Sequence, residues 1–141
     1  MERVYKREDY LSRIRGFYDD TMIKVITGIR RCGKSYLLKS IIEELKERGI
    51  KDKDIIYIEL DKIEYKNIKT PKKLESIINK QIKDKDFKYL FIDEVQTVEK
   101  FQKAVDGLFI MENVDLYITG SNAYILSGEL ATLLSGRYVE I

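Results

Sequence analysis

Apolar residues recur along this chain in two alternating patterns. Short runs rich in β-branched and aromatic residues read as strands: Met22 to Thr27, Ile55 to Leu60, Tyr89 to Ile92, Leu116 to Thr119 and Tyr138 to Ile141. Between them, apolar positions spaced three and four apart read as helices. Leu37, Leu38, Ile41, Ile42 and Leu45 form one such face, with Gly49 as the stop. Leu74, Ile77, Ile78 and Ile82 form another, opened by Thr70 as N-cap and Pro71 at the first helical position. Phe101, Ala104, Val105, Leu108 and Phe109 form a third. Residues 6–18 predict an amphipathic helix with Tyr10, Leu11, Ile14, Phe17 and Tyr18 on one face. The stretch from Ile125 to Leu134 is helical in character, interrupted by Gly128. Asp61 to Lys69 is polar and reads as a loop. Strands alternating with helices predict an α/β fold, a mostly parallel sheet with helices on both faces.

Composition narrows the class. The 141 residues suit one domain spanning 1–141, and 44% apolar with 35% charged residues is a soluble globular balance. No apolar run approaches the ~20 residues of a membrane span. Charge within the first three residues, with no apolar stretch behind it, gives no secretory signal. One cysteine excludes an internal disulfide and suits a reducing cytoplasm. The absence of histidine removes His-ligated metal sites and any Ser-His or Cys-His mechanism. A net charge of +2 does not argue for nucleic acid. The lysines are balanced by acids, runs such as Lys83 to Asp86 read as solvated surface, and no aromatic-plus-basic platform is evident. Ending on a bare strand predicts a piece of a longer chain.

The candidate chemistry begins between the first strand and its helix. Gly28-Ile29-Arg30-Arg31-Cys32-Gly33-Lys34-Ser35 fits G-x-x-x-x-G-K-[ST]. The glycines let backbone N–H groups close on a phosphate chain without a Cβ in the way. Lys34 offers charge to the β- and γ-phosphates, and Ser35 offers a hydroxyl to Mg²⁺. The helix that follows, beginning around Tyr36, turns its positive dipole end to the anion. Strand, glycine loop and helix is the context the motif requires.

The third strand ends in Asp93-Glu94, at the sheet edge where open α/β sheets bind ligands. Asp93 is expected to complete the Mg²⁺ shell with Ser35. Glu94, pointing the other way along the pleat, is expected to orient and polarise a water in line with the γ-phosphate. At the end of the fourth strand, Thr119, Ser121 and Asn122 are candidates to hydrogen-bond the γ-phosphate or that water. Arg137, before the last strand, is a candidate phosphate partner within its own chain or from a neighbour. The alternative readings are a nucleotide-gated interaction switch with slow hydrolysis and a P-loop small-molecule kinase. Transfer to a substrate hydroxyl does not need a water-orienting Glu94, which counts against the kinase.

Four groups of residues stand in order: Gly28 to Ser35, Phe91-Ile92-Asp93-Glu94-Val95-Gln96, Ile118 to Asn122, and Leu134-Ser135-Gly136-Arg137-Tyr138. Together they resemble the AAA-like ATPase domain of a family of archaeal and bacterial ATPases, the AAA_14 type. The resemblance implies an ASCE-type P-loop fold with sheet order 5-1-4-3-2, ATP with Mg²⁺ as ligands, and hydrolysis of the β–γ bond. It implies Walker A roles for Gly28, Gly33, Lys34 and Ser35, Walker B roles for Asp93 and Glu94, a sensor at Ser121 or its neighbours, and the family's Gly-Arg element at Arg137. It also implies further sequence after the domain; a homo-oligomer or a downstream effector region is the expected partner, and DNA binding is a further reading that comes from the family's company more than from these residues.

Overall fold

A computed structural model describes residues 23–26, 31–82, 84–101, 103–104, 107, 113–120 and 138–140. Its strands are β1 (Ile23–Ile26), β2 (Ile55–Glu59), β3 (Lys88–Asp93), β4 (Val114–Thr119) and β5 (Tyr138–Glu140). Its two long helices are α1 (Arg31–Glu47) and α2 (Pro71–Gln81). The five strands form one sheet in the order β2-β3-β4-β1-β5, every neighbouring pair parallel. This is the ASCE-type arrangement and the 5-1-4-3-2 order expected above, read from the other edge. The helix over 6–18, the segment 125–134, and Val105, Leu108 and Phe109 lie outside the described residues.

The strands are apolar on both sides because both faces are covered. On one face Ile26, Tyr89, Phe91 and Tyr117 pack with Leu37, Leu38, Ile41, Ile42 and Leu45 of α1. On the other, Val25, Ile58, Leu90, Ile92 and Ile118 pack with Leu74 and Ile78 of α2 and with Val98, Phe101 and Ala104. Two-residue alternation along each strand sorts the side chains between these layers.

Each helix ends as its sequence dictates. The Lys73 N–H donates to Thr70 Oγ1 at 3.3 Å, with Pro71 at the first helical position. At the other end of α1, Gly49 takes φ 96°, a conformation that costs glycine nothing. Its N–H donates to the Lys46 carbonyl, and the Ile50 N–H reaches back to the Leu45 carbonyl, both at 3.0 Å. That pair of bonds is a Schellman cap, and Ile50 packs on the α1 layer as its apolar clasp.

Two ionic groups lie where sequence patterning gave only apolar strand or solvated surface. Lys24 and Asp115 sit inside β1 and β4, fully buried, and form an ion pair. The Tyr117 hydroxyl donates to the second Asp115 oxygen at 2.7 Å, and the Lys24 ammonium lies 5.3 Å from the Tyr117 ring centroid. At the N-terminal edge of the sheet, the buried Lys88 ammonium donates to Asp54 at 2.6 Å and Asp84 at 2.5 Å. Lys53 donates to Asp54 and Asp84, each at 3.1 Å, and to Asp86 at 2.7 Å. Asp84 and Asp86, expected to be solvated surface, therefore tie the 84–86 bend to the start of β2.

Hydrogen bonds from Lys88 hold the Asp54 and Asp84 carboxyls below the usual carboxylate range. Burial pulls the Lys88 ammonium down, but its bonds to Asp54 and Asp84 outweigh that and raise it above its ordinary value. Carboxyls depressed in the folded state stabilise it above their unfolded pKa of about 4, and that contribution is lost as pH falls through the folded values. The raised Lys88 loses its contribution only on the alkaline side, above about pH 10. The urea midpoint of wild type is therefore expected to exceed that of Asp84→Asn at pH 7, and the gap to close as pH falls below 4. A gap unchanged between pH 7 and pH 3 would remove this network from acid stability.

Candidate functional site

The site is built from two adjacent rungs of the sheet on the α1 face. In the first, register places Tyr57 beside Phe91, Phe91 beside Tyr117, and Tyr117 beside Lys24. Phe91 and Tyr117 stack at 4.6 Å between centroids, and Tyr57 tilts against Phe91 at 6.4 Å. Two residues further along each strand lies the second rung, at the C-terminal edge. There Glu59 is beside Asp93, and Thr119 is beside Ile26, the last residue of β1. The Ile92–Ile118 register brings Asp93 alongside Thr119. An apolar floor thus sets a polar row at the mouth of the sheet.

Only residues 27–30 separate Ile26 from the start of α1 at Arg31. That connection reaches no more than about 18 Å. The first turn of α1, which contains Arg31, Cys32, Gly33 and Lys34 and leads into Ser35 and Tyr36, therefore starts from the same sheet edge as Asp93. Tyr36 is half exposed. Gly28, Ile29, Arg30, Ser121, Asn122 and Arg137 lie outside the described residues.

Three residues form a closed polar unit at this edge. Asp93 and Thr119 are buried, and the Thr119 hydroxyl donates to Asp93 Oδ1. The same hydroxyl oxygen accepts the Glu94 N–H at 3.0 Å. The chain leaves the strand at this point. Glu94 takes φ 59° and ψ 50°, left-handed, and a short 3₁₀ turn over Val95–Thr97 follows. This corrects the expectation that Glu94 follows the pleat: β3 ends at Asp93, and Glu94 is aimed by the left-handed turn. The conformation costs a non-glycine residue on the order of 1–3 kcal/mol and persists only where its surroundings hold it. Thr119 holds the N–H, while the Thr97 N–H and hydroxyl both donate to the Glu94 carbonyl, each at 3.2 Å. Glu94 is itself buried.

Glu59, Asp61 and Asp93 bring one carboxylate oxygen each within 4.8 Å of one another. These are hard oxygen donors of the kind that suit Mg²⁺, so the residues present fit the divalent ion expected here. Glu59 and Asp61 were not singled out by sequence. The signal was a second carboxylate-bearing strand end, which gains meaning only once β2 is known to lie beside β3. Thr119 was one of three sensor candidates, and it alone of the three falls within the described residues.

A parallel five-stranded sheet with this order, a helix entered directly from β1, and a buried acid at the end of β3, across β4 from it, define a P-loop fold of the AAA class. The family model of the AAA domain designated AAA_14 matches residues 20–141, and the chain belongs to that family. The chain is 46% identical over 139 residues to an uncharacterized protein of Haemophilus influenzae, covering 98% of this chain and 35% of that one. It is 39% identical over 115 residues to the uncharacterized protein MJ1544 of Methanocaldococcus jannaschii, covering 82% of this chain and 24% of that one. The chain therefore spans about a third of the first relative and a quarter of the second. Among solved structures, Drosophila ORC bound to DNA aligns with a TM-score of 0.60 at 13% identity, over 95% of this chain and 87% of that one. C. elegans PCH-2 aligns with a TM-score of 0.55 at 18% identity, over 94% and 40%. These likenesses show the fold. Family membership supports a nucleotide-binding, ATPase-like role. No helix among the described residues is long and apolar enough to cross a membrane.

Proposed function

We propose that this domain binds ATP with Mg²⁺ and hydrolyses the β–γ bond, as the ATPase part of a longer cytoplasmic protein. The observation that carries the reading is the Asp93–Thr119–Glu94 unit, fixed at the sheet edge from which α1 starts. Gly28, Ile29, Arg30, Arg31, Cys32 and Gly33 wrap the phosphates with backbone N–H groups, and Tyr36 borders them at the first turns of α1. Lys34 neutralises charge on the β- and γ-phosphates. Ser35 and Asp93 would hold Mg²⁺, which would supply charge neutralisation at the phosphates. Glu94 orients the attacking water and draws its proton. Ser121 and Arg137 extend the set toward the γ-phosphate, and Thr119 fixes the two acids in place. A downstream effector region or a second copy of the chain is proposed as its partner.

The test is thermal unfolding with Mg-ATP, Mg-GTP, and ATP with chelator. A ligand at a hundred times its Kd stabilises by about 2.7 kcal/mol. For a domain of this size that is on the order of 8 °C. The full shift is expected with Mg-ATP, a smaller one with chelator, and none in Lys34→Ala. Identical melting with and without nucleotide would remove the reading.

A further inference from the structure

Much of the charge outside residues 62–80 is held in ion pairs. Asp52 pairs with Lys46, Asp115 with Lys24, and Asp54, Asp84 and Asp86 with Lys53 and Lys88. Residues 62–80 are left with six lysines against two glutamates, a net of +4 where the whole chain carries +2. Of these lysines only Lys62 is ion-paired with another described residue, Glu59 at 3.7 Å.

The surplus is organised along α2. Lys72, Ser76, Asn79 and Lys80 recur at helical spacing on its exposed face and line an open groove of about 460 Å³. None of the four makes a side-chain hydrogen bond or ion pair with another described residue. Glu75, the one acid among the groove's described lining residues, is half-buried, with an oxygen turned toward Gly107. The first turn of α2 holds Lys72 and Lys73 and no acid. A helix dipole disfavours that placement by a few tenths of a kcal/mol to about 1 kcal/mol per charge. A local rule broken with no structural return is where function is expected.

We propose that this face of α2 binds the phosphodiester backbone of a nucleic acid, without reading base sequence. Lys72 and Lys80 bring positively charged donors, and Ser76 and Asn79 bring neutral hydroxyl and amide groups that also donate, residue types that contact phosphate oxygens. Eight residues of helix separate Lys72 from Lys80, about 12 Å along the axis. That is the axial length of three to four phosphates of one strand. An extended acidic peptide presents side chains to one side only every ~6.6 Å, so it offers about half that charge over the same length. A membrane surface would require apolar residues among the lysines, and the exposed residues of α2 are polar.

The experiment is fluorescence anisotropy of the full chain with a labelled 20-base-pair duplex of random sequence, over a series of salt concentrations. Lys72→Glu/Lys80→Glu is compared with Lys51→Glu/Lys85→Glu, which makes the same charge change at two exposed lysines off this face. Binding is expected to fall at least tenfold in the first variant, and the slope of log affinity against log salt to drop by about two. The second variant is expected to stay within twofold of wild type. Both variants should melt as wild type does and keep the wild-type melting response to Mg-ATP. Equal loss in the two variants would make the effect one of net charge and overturn the site. Absence of binding by wild type, or displacement of the duplex by poly-glutamate at equal charge concentration, would overturn the choice of nucleic acid.

Discussion

Lys24→Met is expected to destabilise the domain by about 3–5 kcal/mol, the usual cost of removing one member of a buried ion pair. That is a large part of the ~5–15 kcal/mol by which domains are stable. The cost comes from the partner left behind. Asp115 is fully buried, and without the ammonium it must stay charged in a low-dielectric layer or take up a proton. Replacing both charges with apolar residues, Lys24→Met with Asp115→Leu, is expected to recover most of the loss. The Tyr117 hydroxyl, which donates to Asp115, then loses that acceptor, worth about 1–3 kcal/mol if nothing replaces it. Adding Tyr117→Phe should return the remainder. Urea unfolding of the single, double and triple variants measures each step. A single variant that loses under 1 kcal/mol would show that the pair is not held as described.

The pair also bears on how the site is aligned. β1 and β4 are short, parallel and apolar on both faces, so apolar matching alone constrains their register weakly. A slide of β1 by two residues toward the C-terminal end of β4, which sets Lys24 beside Thr119, would separate Lys24 from Asp115 at the cost just described. It would also move Ile26, and with it the entry to α1, off the rung that carries Thr119 and Asp93. We infer that the ion pair fixes register as well as contributing stability, a role best attested for buried polar groups in other folds. Line-broadening of β1 amides in the double variant, with its melting point recovered, would be the sign of a register no longer unique.

Much of the fold was legible because parallel α/β folds write it locally. The apolar runs gave the strands to within about two residues, Thr70-Pro71 gave the start of α2, and Gly49 gave the end of α1. The spelling around Gly33-Lys34-Ser35 and Asp93-Glu94 gave the sheet order by way of the family resemblance, and the register agrees with it. What was not legible depends on pairings across strands. Lys24 and Asp115 are 91 positions apart, and each alone looks like a blemish in an apolar run. Asp84 and Asp86 looked solvated because nothing local says that Lys53 and Lys88 reach them. The left-handed turn at Glu94 was hidden for another reason. Nothing in glutamate's preferences suggests it, and it stands because Thr119 and Thr97 hold both ends of the residue.

That same turn separates chemistry from stability at Glu94. Glu94→Gln keeps the side-chain length, the left-handed backbone, the N–H bond to Thr119 and the carbonyl bonds from Thr97, since none of these uses the carboxylate. What it removes is the group proposed to take the proton of the attacking water. Loss of a positioned general base costs typically about 10²- to 10⁴-fold. Single-turnover hydrolysis of Mg-ATP by Glu94→Gln is therefore expected to fall by at least about 10²-fold. Its melting point and its nucleotide-induced shift should stay near those of wild type. A domain that hydrolyses ATP only as a slow switch would start from a low wild-type rate and lose little. A wild-type rate unchanged by the substitution would refute the hydrolytic role of Glu94 and leave nucleotide binding, tested separately through Lys34, standing alone.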